Sequence, residues 1–362
     1  MRMIFHVPFE LDPGSAFAND IRPVRMLAAF RLLGYEVDVV HGRNRERKER
    51  AKAVRRKIQS GVEYSFVYSE SASLPTALTD PSKKLTNPLF DFAFLRFCRS
   101  NGLEVGLFYR DVYWRFPNTG QFKSAFRHAV LTAFYLFDAL AYNFTISKIY
   151  LPSMAMHRYI PLISKIDAAA LPPGHDVFQP IQSDLPQKKV NLLYVGGLGR
   201  LYDLRTFMKV VCDMPELHFT LCTRQADWDR EGPSYKSFLA NNITVLHEKG
   251  EGLKRLYANA NVAVFFLKPT KYAEFAVSMK LFEYIGNRLP TIAIKDTLVG
   301  SIVDRENVGW TSPFDAQALR GLLTKLSENP EIVASLTPQL IEASRNNTWE
   351  ARARTVAEDL SC

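Results

Sequence analysis

Short apolar runs alternate with amphipathic stretches along the first half of the chain. Met3–Val7 and Glu63–Tyr68 are short and apolar, as buried strands are. Residues 22–33 have the apolar spacing of a helix and end at Gly34, a common C-terminal cap. Glu36–His41 alternates as a strand does. This order of strands and helices predicts a parallel sheet covered by helices on both faces.

The rest of the chain continues this alternation. The first half adds predicted helices at 43–61, 89–100, 121–143 and Ile149–Tyr159, and predicted strands at Glu104–Tyr109 and Tyr142–Ser147. The second half has predicted strands at Val190–Val195, Phe219–Cys222, Ile243–Leu246, Val262–Phe266 and Pro290–Ile294, and predicted helices at 203–213, Leu253–Asn259, Met279–Ile285 and Ala316–Ser327. Proline and polar residues dominate 171–186 and indicate a linker. The fold class is therefore α/β, with two Rossmann-like doubly wound domains facing a cleft where ligands bind at the carboxyl ends of the strands.

Length and composition agree with two domains. The chain has 362 residues, of which 47% are hydrophobic, and this is more than one ordinary core accommodates. The four cysteines show no short paired spacing, which argues against zinc or a disulfide framework and favours a reducing compartment. The N-terminal apolar run is too short for a signal peptide, and no apolar run is long enough to span a membrane.

The positive charge is concentrated in one segment. Residues 43–57 contain nine lysines and arginines against two glutamates, so the segment alone carries +7 of the net +9. A solvated helix face, a nucleic-acid contact or an anionic lipid contact would each explain it. We favour lipid over nucleic acid, because no nucleic-acid motif is present and the charge is confined to one element. The helix at 121–143 would add an apolar face, or else a core stripe, through Phe122, Phe126, Val130, Phe134 and Phe137.

A glycine-rich turn follows the first strand of the second half. Gly196, Gly197 and Gly199 come directly after an apolar strand and precede a helix. Glycines let backbone N–H groups approach an anion, and Arg200 would add a charge-assisted bond to a phosphate. A plain tight turn is the alternative.

The stretch SMKLFEYIGNRLPTIAI, 278–294, places a glutamate among apolar residues. Lys280 and Glu283 share one face of a helix that begins at Met279, and Ser278 is a plausible cap. The lysine would contact a phosphate while the glutamate accepts bonds from two vicinal hydroxyls. An exposed ion pair is the alternative.

Together these motifs resemble the donor domain of GT-B nucleotide-sugar glycosyltransferases, in particular the large Glu-x7-Glu (glycosyltransferase group 1, family 4-like) family. LPPGHDVF, 171–178, resembles its interdomain signature, and TWEARARTVAEDL, 348–360, resembles its final helix, which crosses back to the N-terminal domain. The first glutamate of the motif would fall at Phe275, and Glu274 is one residue away, so the stereochemical outcome stays open. The resemblance implies an acceptor domain at 1–168, a linker at 169–188, a donor domain at 189–345 and a returning helix at 346–362.

The resemblance also suggests where the acceptor and the nucleotide base would bind. Asp111 follows a predicted strand and is our candidate general base, with His6 and His128 as rivals. Thr223 and Arg224 would contact the base. The acceptor-side candidates are Tyr113 and Trp114, for stacking on a sugar, and Glu10, Asp12, Gly14, Asn19, Asp20 and Arg22 in the loop after the first strand.

The sequence therefore predicts a glycosyltransferase that moves a sugar from a UDP- or GDP-sugar to a hydroxyl of a glycan or lipid-linked saccharide, in the synthesis of a surface polysaccharide or glycoconjugate. The nucleotide sugar is a co-substrate, and no metal, other cofactor or nucleic acid is implied. We expect a cytoplasmic protein, peripheral on the inner face of the cell membrane if the basic helix binds lipid. A nucleotide-sugar epimerase of the same fold and a non-catalytic relative that binds nucleotide sugars or lipid remain alternatives.

Overall fold

The computed structural model describes residues 1–12, 14, 18–80, 87–116, 124–163, 165–177 and 189–361. The chain forms two compact units. Unit 1 comprises Met1–Pro173 and Trp349–Cys362, and unit 2 comprises Gly174–Thr348. Each unit contains a six-stranded sheet in which all neighbouring strands are parallel, so the predicted α/β class is confirmed.

The sheet of unit 1 has the order β2-β1-β3-β4-β5-β6. Its strands are β1 (Arg2–His6), β2 (Glu36–Val40), β3 (Val67–Glu70), β4 (Val105–Phe108), β5 (Lys148–Leu151) and β6 (Asp167–Ala170). Its helices are α1 (Ala18–Leu32), α2 (Asn44–Gln59), α3 (Phe90–Ser100), α4 (Ala125–Thr145) and the last helix of the chain, Trp349–Leu360. β2 is added on one side of β1, and β3 to β6 are added on the other side. Right-handed crossovers therefore place α1 on one face of the sheet and α2, α3 and α4 on the other. Among the described residues, none of the helices combines the length and apolar character that crossing a bilayer requires.

The last helix of the chain belongs to unit 1. It packs on α1, and Leu360 lies against Gly106 of β4, where a β-carbon would be 2.7 Å from the leucine methyl carbon. Arg352 Nε donates to the carbonyl oxygens of Pro172 and Pro173 at 3.1 and 3.2 Å. The chain therefore completes the unit-1 core with its final residues.

Two sequence predictions near α4 are wrong. The predicted strand at Tyr142–Ser147 is mostly helix, because α4 continues to Thr145 and both Tyr142 and Thr145 extend its buried side. The predicted helix at Ile149–Tyr159 begins instead as strand β5 and is followed by a 3-10 turn at Met154–Tyr159.

The sheet of unit 2 has the order β12-β11-β10-β7-β8-β9. Its strands are β7 (Val190–Val195), β8 (Leu217–Cys222), β9 (Ile243–Leu246), β10 (Val262–Phe265), β11 (Thr291–Ile294) and β12 (Gly309–Ser312). Its helices are α5 (Arg205–Val211), α6 (Gln225–Glu231), α7 (Glu251–Asn259), α8 (Met279–Gly286), α9 (Leu298–Glu306), α10 (Ala316–Glu328), α11 (Glu331–Ala334) and α12 (Thr337–Asn346), so the last helix of the chain is α13. This is the Rossmann order, and its topological switch point lies between β7 and β10.

A buried ionic network links α2 and α3 to β1 and β3. Arg47 donates to Asp91 through Nε at 2.8 Å and through a terminal nitrogen at 3.0 Å. His6 contacts Asp91 through Nε2 at 3.0 Å and Ser69 Oγ through Nδ1 at 2.8 Å. Burial acts to raise the pKa of Asp91, but the hydrogen bond from His6 and the charge of Arg47 lower it. The segment 43–57 is therefore partly a core element, contrary to a purely solvated helix. His6 is buried with both ring nitrogens engaged, so it is not an accessible base.

Asp138 of α4 makes the stability of unit 1 depend on pH. Burial raises its pKa to about 7, against the weaker opposing effect of the Thr76 N–H, which donates to Oδ2 at 2.7 Å. An acid with a raised folded pKa stabilises the fold while protonated, so stability falls as the pH rises from about 4 to about 7. We expect Asp138→Asn to abolish this slope and to stabilise the protein at pH 8 by up to ~4 kcal/mol. Urea unfolding at pH 5 and pH 8 measures both effects, and parallel pH profiles of the two proteins would contradict the assignment.

Candidate functional site

The glycine turn lies at the carboxyl end of β7, beside the switch point of the unit-2 sheet. Gly196 is packed so closely that a β-carbon would lie 2.6 Å from Tyr194 Oη. Gly199 has a φ of +144°, which L side chains rarely adopt. The Tyr194 hydroxyl donates to the Gly197 carbonyl at 2.8 Å, so a side chain of β7 holds the turn in place. The sequence GGLG, directly after β7, thus forms a tight, internally held turn.

The helix predicted at 203–213 after this turn begins two residues later than predicted. Gly199 and Tyr202 form an isolated bridge, and α5 starts only at Arg205. Since α5 does not follow the glycines directly, the loop itself offers an anion its backbone N–H groups and the nearby cations. Arg200 is exposed within this loop.

Two arginines stand beside the glycine turn and share one buried carboxylate. Asp227 of α6 accepts from Arg224 Nε at 2.8 Å and from Arg230 at 3.0 Å. A terminal nitrogen of Arg224 lies 3.6 Å from the position of a β-carbon on Gly197, and Arg230 donates to the Leu198 carbonyl at 3.3 Å. Both guanidinium groups stay more than half exposed, so they can pair with an anion while Asp227 holds them in place.

The neighbouring Thr223 directly follows β8 and begins the short connection to α6. Its hydroxyl oxygen is buried and makes no hydrogen bond in the part of the chain that the structure describes. Its carbonyl accepts from the ring of His247 at 2.8 Å. A buried hydroxyl without a partner is costly, so a ligand atom that bonds to it would be stabilised.

Helix α8 carries the predicted lysine and glutamate on its partly exposed side. The Ser278 hydroxyl accepts from the Lys280 N–H at 3.2 Å and caps the helix, as predicted for this residue type. Met279 opens the helix, and the other side is buried through Leu281 and its apolar neighbours. Lys280 Nζ donates to Glu283 Oε2 at 2.7 Å. The glutamate therefore points away from the core and is paired.

Two tyrosines connect α8 to the rest of the site. The Tyr257 hydroxyl of α7 donates to Glu283 Oε2 at 2.9 Å, and burial together with the charge of Glu283 keeps the pKa of Tyr257 well above its usual value. The Tyr284 hydroxyl accepts from the Val195 N–H at 3.0 Å and ties α8 to the last residue of β7. The glycine turn and the Lys280–Glu283 pair are thus held by one hydrogen-bonded framework.

Removing the Tyr257 hydroxyl should loosen Glu283 without removing its charge. We expect Tyr257→Phe to weaken nucleotide binding by about 10-fold, because a hydrogen bond to a charged group contributes ~1.5 kcal/mol. Calorimetric titration with UDP and GDP measures this loss. Tyr235→Phe is the matched control, since that hydroxyl accepts from the Leu204 N–H in the same unit. Equal affinities for Tyr257→Phe and the parent protein would show that Glu283 needs no such support.

Phe275 stands where the first glutamate of the Glu-x7-Glu motif would fall, and its apolar side chain is buried. Phe275 is 1% exposed and packs edge-on against Tyr272, with ring centroids 4.9 Å apart. Glu274 ends a 3-10 turn and is exposed. A carboxylate at 275 would be buried, so only Glu274 can present one to solvent here.

In unit 1, Asp111 follows β4 at the carboxyl edge of the sheet. Its Oδ1 accepts from the Val112 N–H at 2.6 Å, and the residue is half-buried. His128, the other rival base, contacts the Trp114 carbonyl through Nε2 at 2.7 Å. Trp114 itself is 1% exposed and stacks on Tyr135 at 5.3 Å. Its predicted role as a stacking surface for sugar is therefore wrong, and Tyr113, which is half-buried, remains the candidate.

One acceptor-side candidate, predicted in the loop after β1, lies instead in α1 and is internal. Arg22 is 5% exposed, with its guanidinium 3.4 Å from the Phe108 ring centroid and its Nε 3.5 Å from an oxygen of Glu70. It therefore balances a buried carboxylate. The exposed Gly14 donates its N–H to Asp12 Oδ1 at 2.9 Å in a local turn. Glu10 is exposed, and the side chains of Asn19 and Asp20 lie outside the described residues.

Solved structures resemble the whole chain at low sequence identity. Sucrose-phosphate synthase from Thermosynechococcus elongatus is 14% identical, with a TM-score of 0.66 over 99% of this chain and 98% of that one. HepE from Anabaena, in complex with UDP, is 13% identical, with a TM-score of 0.65 over the full length of both chains. WaaG, a glycosyltransferase involved in lipopolysaccharide biosynthesis, is 13% identical, with a TM-score of 0.60 over 99% of both. The chain has the GT-B fold. No protein-family profile matches the sequence, and no curated protein sequence matches it.

Two side chains beside the glycine turn and the Lys280–Glu283 pair had no motif in the sequence to indicate them. Asp227 lies on α6, 30 residues after Gly197, and Tyr257 lies on α7, 58 residues after Gly199. Neither belongs to a motif. Asp227 sits three residues after Arg224 and three before Arg230, and this i, i+3 spacing on a helix was the available signal. The approach of Tyr257 to Glu283 depends on the packing of α7 beside α8 and has no sequence signal.

Proposed function

We propose that this GT-B protein is a glycosyltransferase that moves a sugar from a nucleoside diphosphosugar to a hydroxyl group. The observation that carries the proposal is the bond between Tyr284 and Val195, which joins the glycine turn to the helix bearing Lys280 and Glu283. The leaving group of such a reaction is a nucleoside diphosphate, whose charge grows as the sugar departs. Amide groups and cations placed at that position lower the barrier.

We assign the diphosphate to the N–H groups of Gly197 and Gly199, with Arg200, Arg224 and Lys280 as counter-charges. Gly196 shapes the turn, and its own N–H donates to the Cys222 carbonyl at 3.0 Å. In the ligand-free chain Lys280 is paired with Glu283, and an incoming phosphate would draw the ammonium away. Both hydrogen bonds to the Glu283 side chain among the described residues end on Oε2, so Oε1 can accept from a ribose hydroxyl. Thr223 would bond to the nucleotide base through its buried hydroxyl.

The acceptor belongs to unit 1 in this proposal. Asp111 takes the proton of the acceptor hydroxyl as it attacks the anomeric carbon, and Tyr113 contacts the acceptor sugar. Gly14, which follows β1, and Asn19, in the first turn of α1, are the other acceptor-side residues of this proposal. Arg22 fixes this region from within, because it pairs with Glu70 at the end of β3.

The donor is a UDP- or GDP-sugar, and UDP is the first to test because HepE was crystallised with it. We propose a glycan or lipid-linked saccharide as the acceptor, in the synthesis of a surface polysaccharide or glycoconjugate, as the description of WaaG suggests. The test is the release of nucleoside diphosphate from a panel of UDP- and GDP-sugars, with and without glycan acceptors. Release that depends on an acceptor supports transfer. Interconversion of the nucleotide sugar without an acceptor would instead identify an epimerase, and binding without turnover would identify a non-catalytic relative.

A further inference from the structure

Helices α2, α3 and α4 lie side by side on one face of the unit-1 sheet. The Arg55 guanidinium of α2 lies 5.0 Å from the Phe97 ring centroid of α3, and Phe92 of α3 meets Phe137 of α4 edge-on at 5.8 Å. The opposite face of the sheet is occupied by α1 and α13, which pack on each other. The outward sides of α2, α3 and α4 therefore form one surface, here called the three-helix face.

The α4 part of the three-helix face is apolar and exposed. Its inner side is buried through residues such as Tyr135 and Tyr142, yet Phe126 is 81% exposed and Phe144 is 59% exposed. Apolar side chains, all but one of them large, recur on the outer side at alternating intervals of four and three residues, a spacing that keeps them on one stripe of the helix. The stripe consists of Phe126, Val130, Ala133, Phe137, Leu140 and Phe144. Of the stripe predicted from the sequence, Phe126, Val130 and Phe137 are exposed, Phe134 is half-buried and Phe122 lies outside the described residues. Exposed apolar patches of this kind mark interaction sites.

The α2 part of the same face is basic. Much of the charge of 43–57 is used internally, since Arg47 pairs with Asp91 and Lys57 with Asp38. The outermost row of α2 carries three cations, spaced by seven and four residues and pointing away from its buried side. One of them, Lys52, pairs with the exposed Glu49 at 2.9 Å. These exposed cations are Arg45, Lys52 and Arg56, and α3 adds the exposed Arg96 and Arg99, against the two exposed carboxylates Glu46 and Glu49. The outward charge is therefore five minus two, or +3.

We propose that the three-helix face docks on an anionic lipid bilayer, with the α4 stripe in the interface and the α2 and α3 cations among the headgroups. An anionic bilayer is complementary to both parts at once, because it offers negative charge above an apolar layer. A nucleic acid would match the cations but would leave the phenylalanine stripe in water. A second copy of the chain would cover the stripe but would bring the cationic rows of two molecules together. The inference needs no catalytic activity, so it stands or falls separately from the proposed function.

Flotation with lipid vesicles tests the proposal in the full-length protein without any nucleotide sugar. We expect binding to vesicles that contain phosphatidylglycerol, weak binding to pure phosphatidylcholine, and release by salt. The triple variant Arg45→Gln, Lys52→Gln and Arg56→Gln should bind ~100-fold more weakly, since each cation near the surface contributes about a factor of five. The double variant Phe126→Ser and Phe144→Ser should lose at least ~10-fold, because two rings no longer enter the interface.

Matched substitutions elsewhere separate docking from general charge and polarity. Lys209→Gln, Lys236→Gln and Lys325→Gln remove the same charge from exposed positions of unit 2, and Leu32→Ser with Leu239→Ser removes two exposed apolar side chains. Both controls should bind as the parent does, and thermal unfolding verifies that every variant is folded. The proposal is overturned if the parent ignores anionic vesicles at low salt, or if test and control variants lose binding equally. It is also overturned if the parent is a dimer that the Phe126→Ser and Phe144→Ser substitutions dissociate.

Discussion

Asp111→Asn is expected to reduce acceptor-dependent release of nucleoside diphosphate by ~100- to 10,000-fold, the usual contribution of a general base. Asparagine keeps the shape of the side chain, and its carbonyl oxygen can still accept from the Val112 N–H, which Asp111 holds at 2.6 Å. The local backbone should therefore be unchanged. Only the capacity to take a proton is lost.

The measurement compares turnover and nucleotide affinity in the same preparation. Affinity for UDP should match that of the parent protein, because Asp111 lies in unit 1 and the residues proposed to bind the donor lie in unit 2. Glu63→Gln is a control at an exposed carboxylate of unit 1 and should keep full turnover. If Asp111→Asn retains turnover within a few-fold, Asp111 is not the base.

Arg47→Met is expected to destabilise the protein by ~3–5 kcal/mol at pH 7. The substitution leaves the buried Asp91 without the bidentate bond from the guanidinium, and an uncompensated buried charge is strongly destabilising. For a unit of this size the midpoint of thermal unfolding should fall by about 10 °C. Arg56→Met on the same helix is the control, since Arg56 is exposed and its loss should change stability by less than ~0.5 kcal/mol.

The double variant Arg47→Met with Asp91→Leu removes both buried charges. It therefore tests whether Arg47→Met destabilises the protein through the unpaired charge of Asp91 or through lost packing. Replacing both members of a buried ion pair with apolar side chains of similar volume is often neutral. We therefore expect it to regain most of the stability that Arg47→Met loses. Urea unfolding of the parent protein, the two single variants and the double variant gives the double-mutant cycle. Additive losses would mean that the two side chains act independently, contrary to the observed network.

Much of the fold could be predicted because it depends on local patterns. Apolar runs and glycine ends located most strands and helices, and the Met279 helix differs from its predicted range only at its end, Gly286 instead of Ile285. Failures occurred where the pattern is ambiguous. Strand β6, DAAA, contains no large apolar side chain, and strand β12, GWTS, is half polar. Both lie at sheet edges, where little burial is required.

The candidate site was harder to predict because its charges are arranged by tertiary contacts. A sequence gives no indication that one arginine of a densely basic segment, Arg47, turns inward to a carboxylate 44 residues away. It likewise cannot separate Trp114, which is buried on Tyr135, from its neighbour Tyr113. The glycine turn and the Lys280 helix could be recognised because the residues that characterise each of them are close together in the sequence.

The central claim is that unit 2 binds a nucleoside diphosphate between the glycine turn and the Lys280–Glu283 helix. Isothermal titration of the protein with UDP, GDP and dTDP tests it most directly, with Lys280→Gln and Glu283→Gln as variants. The account predicts saturable binding of at least one of these nucleotides at a single site, weakened at least ~10-fold by each substitution. Absence of binding for all three, or binding that neither substitution weakens, would contradict it.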